Sequence, residues 1–151
     1  MPLDHQWIQR HIPHAGKMCL LDEVLEWDAR RILCRSSSHR SPDNPLRAHG
    51  QLGAACGVEY AAQSMAVHGV LAAAAGGPAG YLASVRAVTL FVQRLDDLDS
   101  DLLATATRIS SDDTMVLYEF DITGARQTLL KGRATIIFDI SGASTRHSAL
   151  R

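Results

Sequence analysis

The hydrophobic pattern changes period along the chain, and each change predicts an element. Asp4 to Gln9 predicts a short helix, stopped ahead of Pro13 because the residue before a proline is pushed out of the helical region. After a loop, His11 to Lys17, the stretch from Met18 to Trp27 is rich in Leu and Val. With Arg31 to Ser37 across the charged turn Asp28, Ala29, Arg30 it predicts a hairpin. Ser38 to Gly50 holds Pro42, Asp43, Asn44, Pro45 and Gly50 and predicts an irregular segment long enough to serve as a site wall. From Leu52 to Ala75 the period is helical: Leu52, Cys56, Tyr60 and Gln63 fall on one line of the cylinder, and Val67, Val70 and Leu71 extend it. Nearly every other position there is Ala or Gly, which predicts a helix buried on all sides and stopped by Gly76, Gly77 and Pro78. Beyond it the period falls to two. Tyr81 to Arg94, Leu102 to Ser110, Met115 to Thr123 and Thr128 to Ile140 predict a meander of strands joined by turns at Asp96 to Asp101, Ser111 to Asp113 and Gly124 to Arg126. In the third of these strands Val116, Tyr118, Phe120 and Ile122 are expected on a wet or aromatic face, opposite Leu117, Glu119 and Asp121.

One long apolar helix beside about five to six antiparallel strands is an α+β arrangement, and the hotdog fold is the one in which the sheet wraps that helix. Residues 1–140 are expected to form this domain, with 141–151 as a flexible C-terminal tail.

Composition narrows the partners. At 46% hydrophobic and 21% charged residues with a net charge of -1, the chain offers no field for gripping nucleic acid. The apolar stretch inside Leu52 to Ala79 is interrupted by Glu59, Gln63, Ser64 and His68, so no membrane span is expected. Met1 to Arg10 has no apolar run and reads as no signal peptide. Cys19, Cys34 and Cys56 lack metal spacing and sit in apolar stretches, which predicts buried free thiols and a reducing cytoplasm. The histidines are scattered, so no metal is expected. Gly76 to Gly80 ends a helix instead of opening one, so no phosphate-bearing cofactor is expected either. Glu59, a carboxylate amid Ala, Cys, Val and Tyr, needs a partner or a task, and Gln63 one turn later can hold it. His68 reads as a satisfied helix histidine.

Two segments carry a resemblance. Ile12 to Val24, with Pro13, His14 and the run Leu20, Leu21, Asp22, Glu23, Val24, resembles the opening of 3-hydroxyacyl-[acyl carrier protein] dehydratases. Gly57, Val58, Glu59, Tyr60, Ala61, Ala62, Gln63 resembles their helix segment. The chain also resembles the dehydratase-like group of aryl polyene pathways in Asn44, Pro45, Leu46 and in Gly80 to Arg86. The resemblance runs to about Asp139. It implies a hotdog dimer that eliminates water from a 3-hydroxyacyl thioester, with a histidine from the loop before the helix and an acid on the helix of the facing subunit. Glu59 matches the acid. The family's Gly-His-Phe-Pro position falls on Pro45, so the base is expected from His49 or His39 in the same loop. Gly53 and Ala54, at the helix entrance, are the expected oxyanion donors, with Gln63 and His14 also at the substrate; His14 is expected chiefly to fix its loop against the helix. The implied partners are an acyl carrier protein or a coenzyme A thioester and a like or related hotdog subunit. Arg86, Arg94, Lys131 and Arg133 are available to an acidic carrier. Two other readings stay open: a thioesterase in which Glu59 directs water, and a silent partner subunit of a related dehydratase.

Overall fold

A computed structural model describes residues 2–14, 16–74 and 80–138. Helix α1 (His5–His11) starts where the Asp4 carboxylate accepts the Trp7 N–H at 3.0 Å, and it ends at Ile12, ahead of Pro13. Trp7 and Ile8 bury its inner face. The strand expected from Met18 begins only at Glu23: β1 (Glu23–Trp27) pairs with β2 (Arg31–Ser36), while Gly16–Met18 is a 3-10 turn. The cause is Gln63, whose side chain takes up the Met18 carbonyl and the Leu20 N–H and so diverts those groups from the sheet. Asp28 closes the hairpin by accepting the N–H groups of Arg30 and Arg31, both at 2.8 Å.

A 3-10 turn, Ala54–Cys56, leads into helix α2 (Gly57–Ala74). Tyr60, Ala61, Gln63, Ser64, Met65, Val67, His68 and Leu71 are buried, more than one stripe can hold, as expected for a helix enclosed by a sheet. The expected stop at Gly76 to Pro78 and the expected tail at 141–151 lie outside the described residues. None of the described helices is long and apolar enough to cross a membrane.

The remaining strands are β3 (Gly80–Leu90), β4 (Leu102–Ser111), β5 (Met115–Gly124) and β6 (Gln127–Phe138). With β1 and β2 they form one antiparallel six-stranded sheet in the order β1-β2-β4-β5-β6-β3, packed around α2 as a hotdog fold. Two expectations are corrected. Only β4, β5 and β6 form the meander; β3 joins the far edge beside β6, and residues 91–101 cross back instead of making a hairpin turn. The crossover is held at the helix entrance, where Leu95 N–H reaches Leu52 O at 2.8 Å and Ala54 N–H reaches Gln93 O at 3.0 Å. A crossover of this kind leaves the period-two signal of the strands unchanged, so the pattern alone does not reveal it. The face of β5 with Val116, Tyr118, Phe120 and Ile122 is buried, not wet, because it packs toward α2. Cys19 and Cys34 are buried free thiols, and burial pushes the Cys34 thiol up to about 12; Cys56 is half-buried.

Candidate active site

The loop after α1 is anchored at both ends, by buried Ile12 and by fully buried Leu20 and Leu21. This hangs His14 over the first turn of α2. There His14 Nε2 lies 3.0 Å from Glu59 Oε2. The same oxygen accepts from Gln63 Nε2 at 3.1 Å, the i, i+4 contact that the spacing implies. Gln63 is wholly buried, and each of its groups has a partner: Nε2 also donates to Met18 O at 2.7 Å, and Oε1 accepts from Leu20 N–H at 2.9 Å. These backbone partners fix the orientation of the amide, so it is the NH2 end that meets the carboxylate. Glu59 sits in the first turn of α2. Its second oxygen has no hydrogen-bond partner among the described residues, and neither has His14 Nδ1.

Glu59 and His14 open onto a cavity of about 500 Å³. Its floor is one face of α2, the line Glu59, Ala62, Ala66, Gly69 and Ala73, spaced by alternate threes and fours as one helical stripe requires. Small side chains along this stripe leave the volume. Tyr81 and Leu82 of β3 and Ile136 and Phe138 of β6 supply apolar walls, and Arg108 and Tyr118 the polar one.

The other expected residues stand elsewhere. His49 is exposed at φ 55°, in a tight turn closed by the reciprocal Ala48 and Gln51 backbone bonds, and is not among the residues around the cavity. A single chain therefore pairs His14, not His49, with Glu59. His39 is fully buried with Nε2 3.1 Å from Leu98 O, and burial pulls its pKa down. The Ser38 to Gly50 segment is no wall of this cavity. It docks on the helix through Tyr60, whose hydroxyl meets Ser38 Oγ at 2.8 Å and Asn44 Nδ2 at 3.0 Å. Neither Gly53 nor Ala54 borders the cavity, and the Ala54 N–H, expected as an oxyanion donor, is committed to Gln93 O. Arg94 is paired with Asp96, and Arg133 with Glu119. Arg108 and Tyr118 were not singled out by the sequence. The available signal was His68, whose Nδ1 lies 2.6 Å from the Tyr118 hydroxyl. Among the described residues no group of three side chains is arranged to hold a metal ion.

The family model of ApeP-like proteins, described as ApeP dehydratase, matches residues 6–141. No curated protein matches the chain. Among solved structures it is similar to the dehydratase heterocomplex ApeI:P from Xenorhabdus doucetiae, with 21% identity and a TM-score of 0.75 over 97% of this chain and 96% of that one. It is also similar to zebra fish thioesterase superfamily member 2, with 15% identity and a TM-score of 0.67 over 89% and 94% of the two chains. A hypothetical thioesterase from Streptococcus pneumoniae, solved with coenzyme A, matches with 14% identity and a TM-score of 0.59 over 77% and 84%. At these identities the solved structures speak for the fold alone.

Proposed function

The chain belongs to the ApeP-like dehydratase family, and from that premise we propose that it eliminates water from a 3-hydroxyacyl thioester in polyene-type biosynthesis, with His14 and Glu59 as its acid–base pair. The observation that carries this reading is the 3.0 Å contact between His14 Nε2 and Glu59 Oε2 at the mouth of an apolar cavity. The imidazole takes the proton alpha to the thioester. The carboxylic acid gives its proton to the departing 3-hydroxyl, and the products are the enoyl thioester and water. The imidazolium and carboxylate left behind are already in contact, so the proton returns directly from one to the other and both groups are reset. Gln63 is the positioning residue, since it holds the carboxylate by a bond whose other anchors are backbone.

The thioester is presented by an acyl carrier protein or coenzyme A. The protein works with a second hotdog subunit, as in the ApeI:P heterocomplex. The open edge of β3 supports this, because Tyr81, Leu82, Val88 and Leu90 are exposed along it. The free thiols of Cys19 and Cys34 support a reducing compartment, the cytoplasm.

The test is incubation of the purified protein, alone and with a related dehydratase subunit, with a 3-hydroxyacyl carrier substrate, following loss of water by mass. Enoyl product is expected, with turnover cut by about a hundredfold or more in Glu59→Gln and in His14→Asn while the folded spectrum stays unchanged. Release of free thiol in place of enoyl product would make the protein a thioesterase. No product in either mixture would leave it a silent subunit and sink the dehydratase reading.

A further inference from the structure

The cavity carries a second polar feature that the acid–base pair does not use. His68 is fully buried on α2, and its Nε2 lies 2.7 Å from the Asp28 carbonyl. A carbonyl only accepts, so that nitrogen carries the proton and Nδ1 is an acceptor. The Tyr118 hydroxyl, 2.6 Å away, therefore donates to Nδ1 and accepts from Arg108 Nε at 2.9 Å. Every proton in this chain of three groups is assigned, and the chain runs in one direction, from Arg108 to Tyr118 to His68 to the Asp28 carbonyl. Burial keeps His68 neutral by lowering its pKa, as the relay requires. The consequence falls on Arg108. Its Nε is tied down, its terminal nitrogens have no hydrogen-bond partner among the described residues, and it lines the cavity half-buried with no carboxylate beside it there. A guanidinium whose Nε is already committed presents its terminal N–H groups to any acceptor that enters the cavity.

We propose that Arg108, held by Tyr118 and His68, is a specificity-determining residue that selects acyl chains bearing an oxygen acceptor at their distal end. The inference rests on the reading that the cavity takes the acyl chain with its thioester at Glu59. His68 follows Glu59 by nine residues on α2, an axial rise of about 13 Å. The polar wall therefore meets the chain well beyond the reacting carbons, at the level of Gly69, where the stripe of small residues leaves room for it. A chain ending in a methyl group leaves Arg108 without an acceptor, whereas one ending in a carboxylate, a carbonyl or a hydroxyl oxygen supplies one.

The experiment measures binding and turnover separately. Unreactive acyl-pantetheine thioethers, with chains of roughly eight to twelve carbons to cover that rise, are titrated against the protein together with its partner subunit. Their distal ends are methyl, hydroxyl or carboxylate. Tighter binding of the oxygen-bearing ends is expected. In Arg108→Met that preference should fall by on the order of tenfold or more. Tyr118→Phe, which keeps the guanidinium but frees its Nε, should lose part of the preference and serves if Arg108→Met does not fold. A carboxylate favoured over a hydroxyl would assign the contact to charge, and equal preference for the two would assign it to hydrogen bonding; either supports the proposal. Equal binding of all three ends to the wild-type protein, or a preference that survives in the folded variants, would overturn it. Failure of the dehydratase reading shows elsewhere, as absence of enoyl product from the matching 3-hydroxyacyl thioesters whatever their distal end.

Discussion

At the scale of single residues, Gln63 does most to join fold and site. Its amide satisfies two backbone groups of the Met18 to Leu20 segment and one carboxylate oxygen, all while fully buried. Replacing it by Leu leaves the Leu20 N–H and the Met18 carbonyl without partners, at a cost of about 1–3 kcal/mol for each group that stays buried. Gln63→Leu is therefore expected to lower stability in chemical unfolding. It should also lower kcat more than it raises KM, because the carboxylate loses its support but the cavity keeps its walls. A variant with wild-type kcat would show that Glu59 needs no such support. Two histidines set a pH dependence. Burial holds both His39 and His68 below the ordinary histidine pKa. As pH falls below about 6.5 the unfolded chain takes up protons at these positions while the folded chain resists them, so stability drops with falling pH by at most about 1.4 kcal/mol per histidine per pH unit. Above about pH 7.5 both groups are neutral in either state and contribute no slope. Urea midpoints at pH 7.5 and 5.5 should show the loss, and His68→Gln should shrink it. An equal loss in that variant would assign the slope to other groups.

At the scale of elements, the sequence was legible where one signal dominates locally. The enclosed helix, the hairpin and the alternation of β4, β5 and β6 follow from period, turn chemistry and the scarcity of large side chains between Leu52 and Ala75. What it hid were effects of distant partners. The start of β1 moved because Gln63, far along the chain, captures the backbone of residues 18 and 20. The place of β3 was hidden because strands that are neighbours in sequence need not be neighbours in a sheet, and the acidic turn at Asp96 proved to be the clasp on the helix entrance, where the Asp96 carboxylate accepts the Leu52 N–H at 2.8 Å. Arg94 beside it holds that carboxyl well below the usual range. The site was half legible for the same reason. Glu59 and Gln63 share a helix face, so spacing connects them. His14 and Glu59 meet only through the anchoring of the loop after α1, which no local pattern encodes. Arg108 lines the same cavity from β4, and the register that sets it opposite Tyr118 of β5 is not readable from the alternation of the two strands.

At the scale of the whole molecule, the two sheet edges differ in a way that bears on assembly. β1 is five residues long and short edges are harmless, but β3 runs for eleven residues along the other edge. Tyr81 is 57% exposed, Leu90 46% and, just beyond the strand, Phe91 49%, a concentration of apolar surface on an open ladder that a stable monomer rarely carries. Register shifts between Leu82 and Ser84 and between Arg86 and Thr89 interrupt the ladder toward β6, and Ala87 stands at φ 58° within the second. A partner strand is therefore expected to pair along segments of this edge and not along its full length. Because Gly80, Tyr81 and Leu82 also wall the cavity, pairing here bears on the site as well. Leu90→Lys lies on the same edge but away from those wall residues, and a lysine on an open edge opposes pairing. The wild-type chain, alone or mixed with a related hotdog subunit, should sediment as a dimer at micromolar concentration. Leu90→Lys should shift toward monomer, with turnover falling in proportion to the dimer lost. A wild-type protein that stays monomeric both alone and in the mixture would remove β3 as the assembly edge. A monomeric variant with full turnover would instead show that the cavity works without the partner's cover.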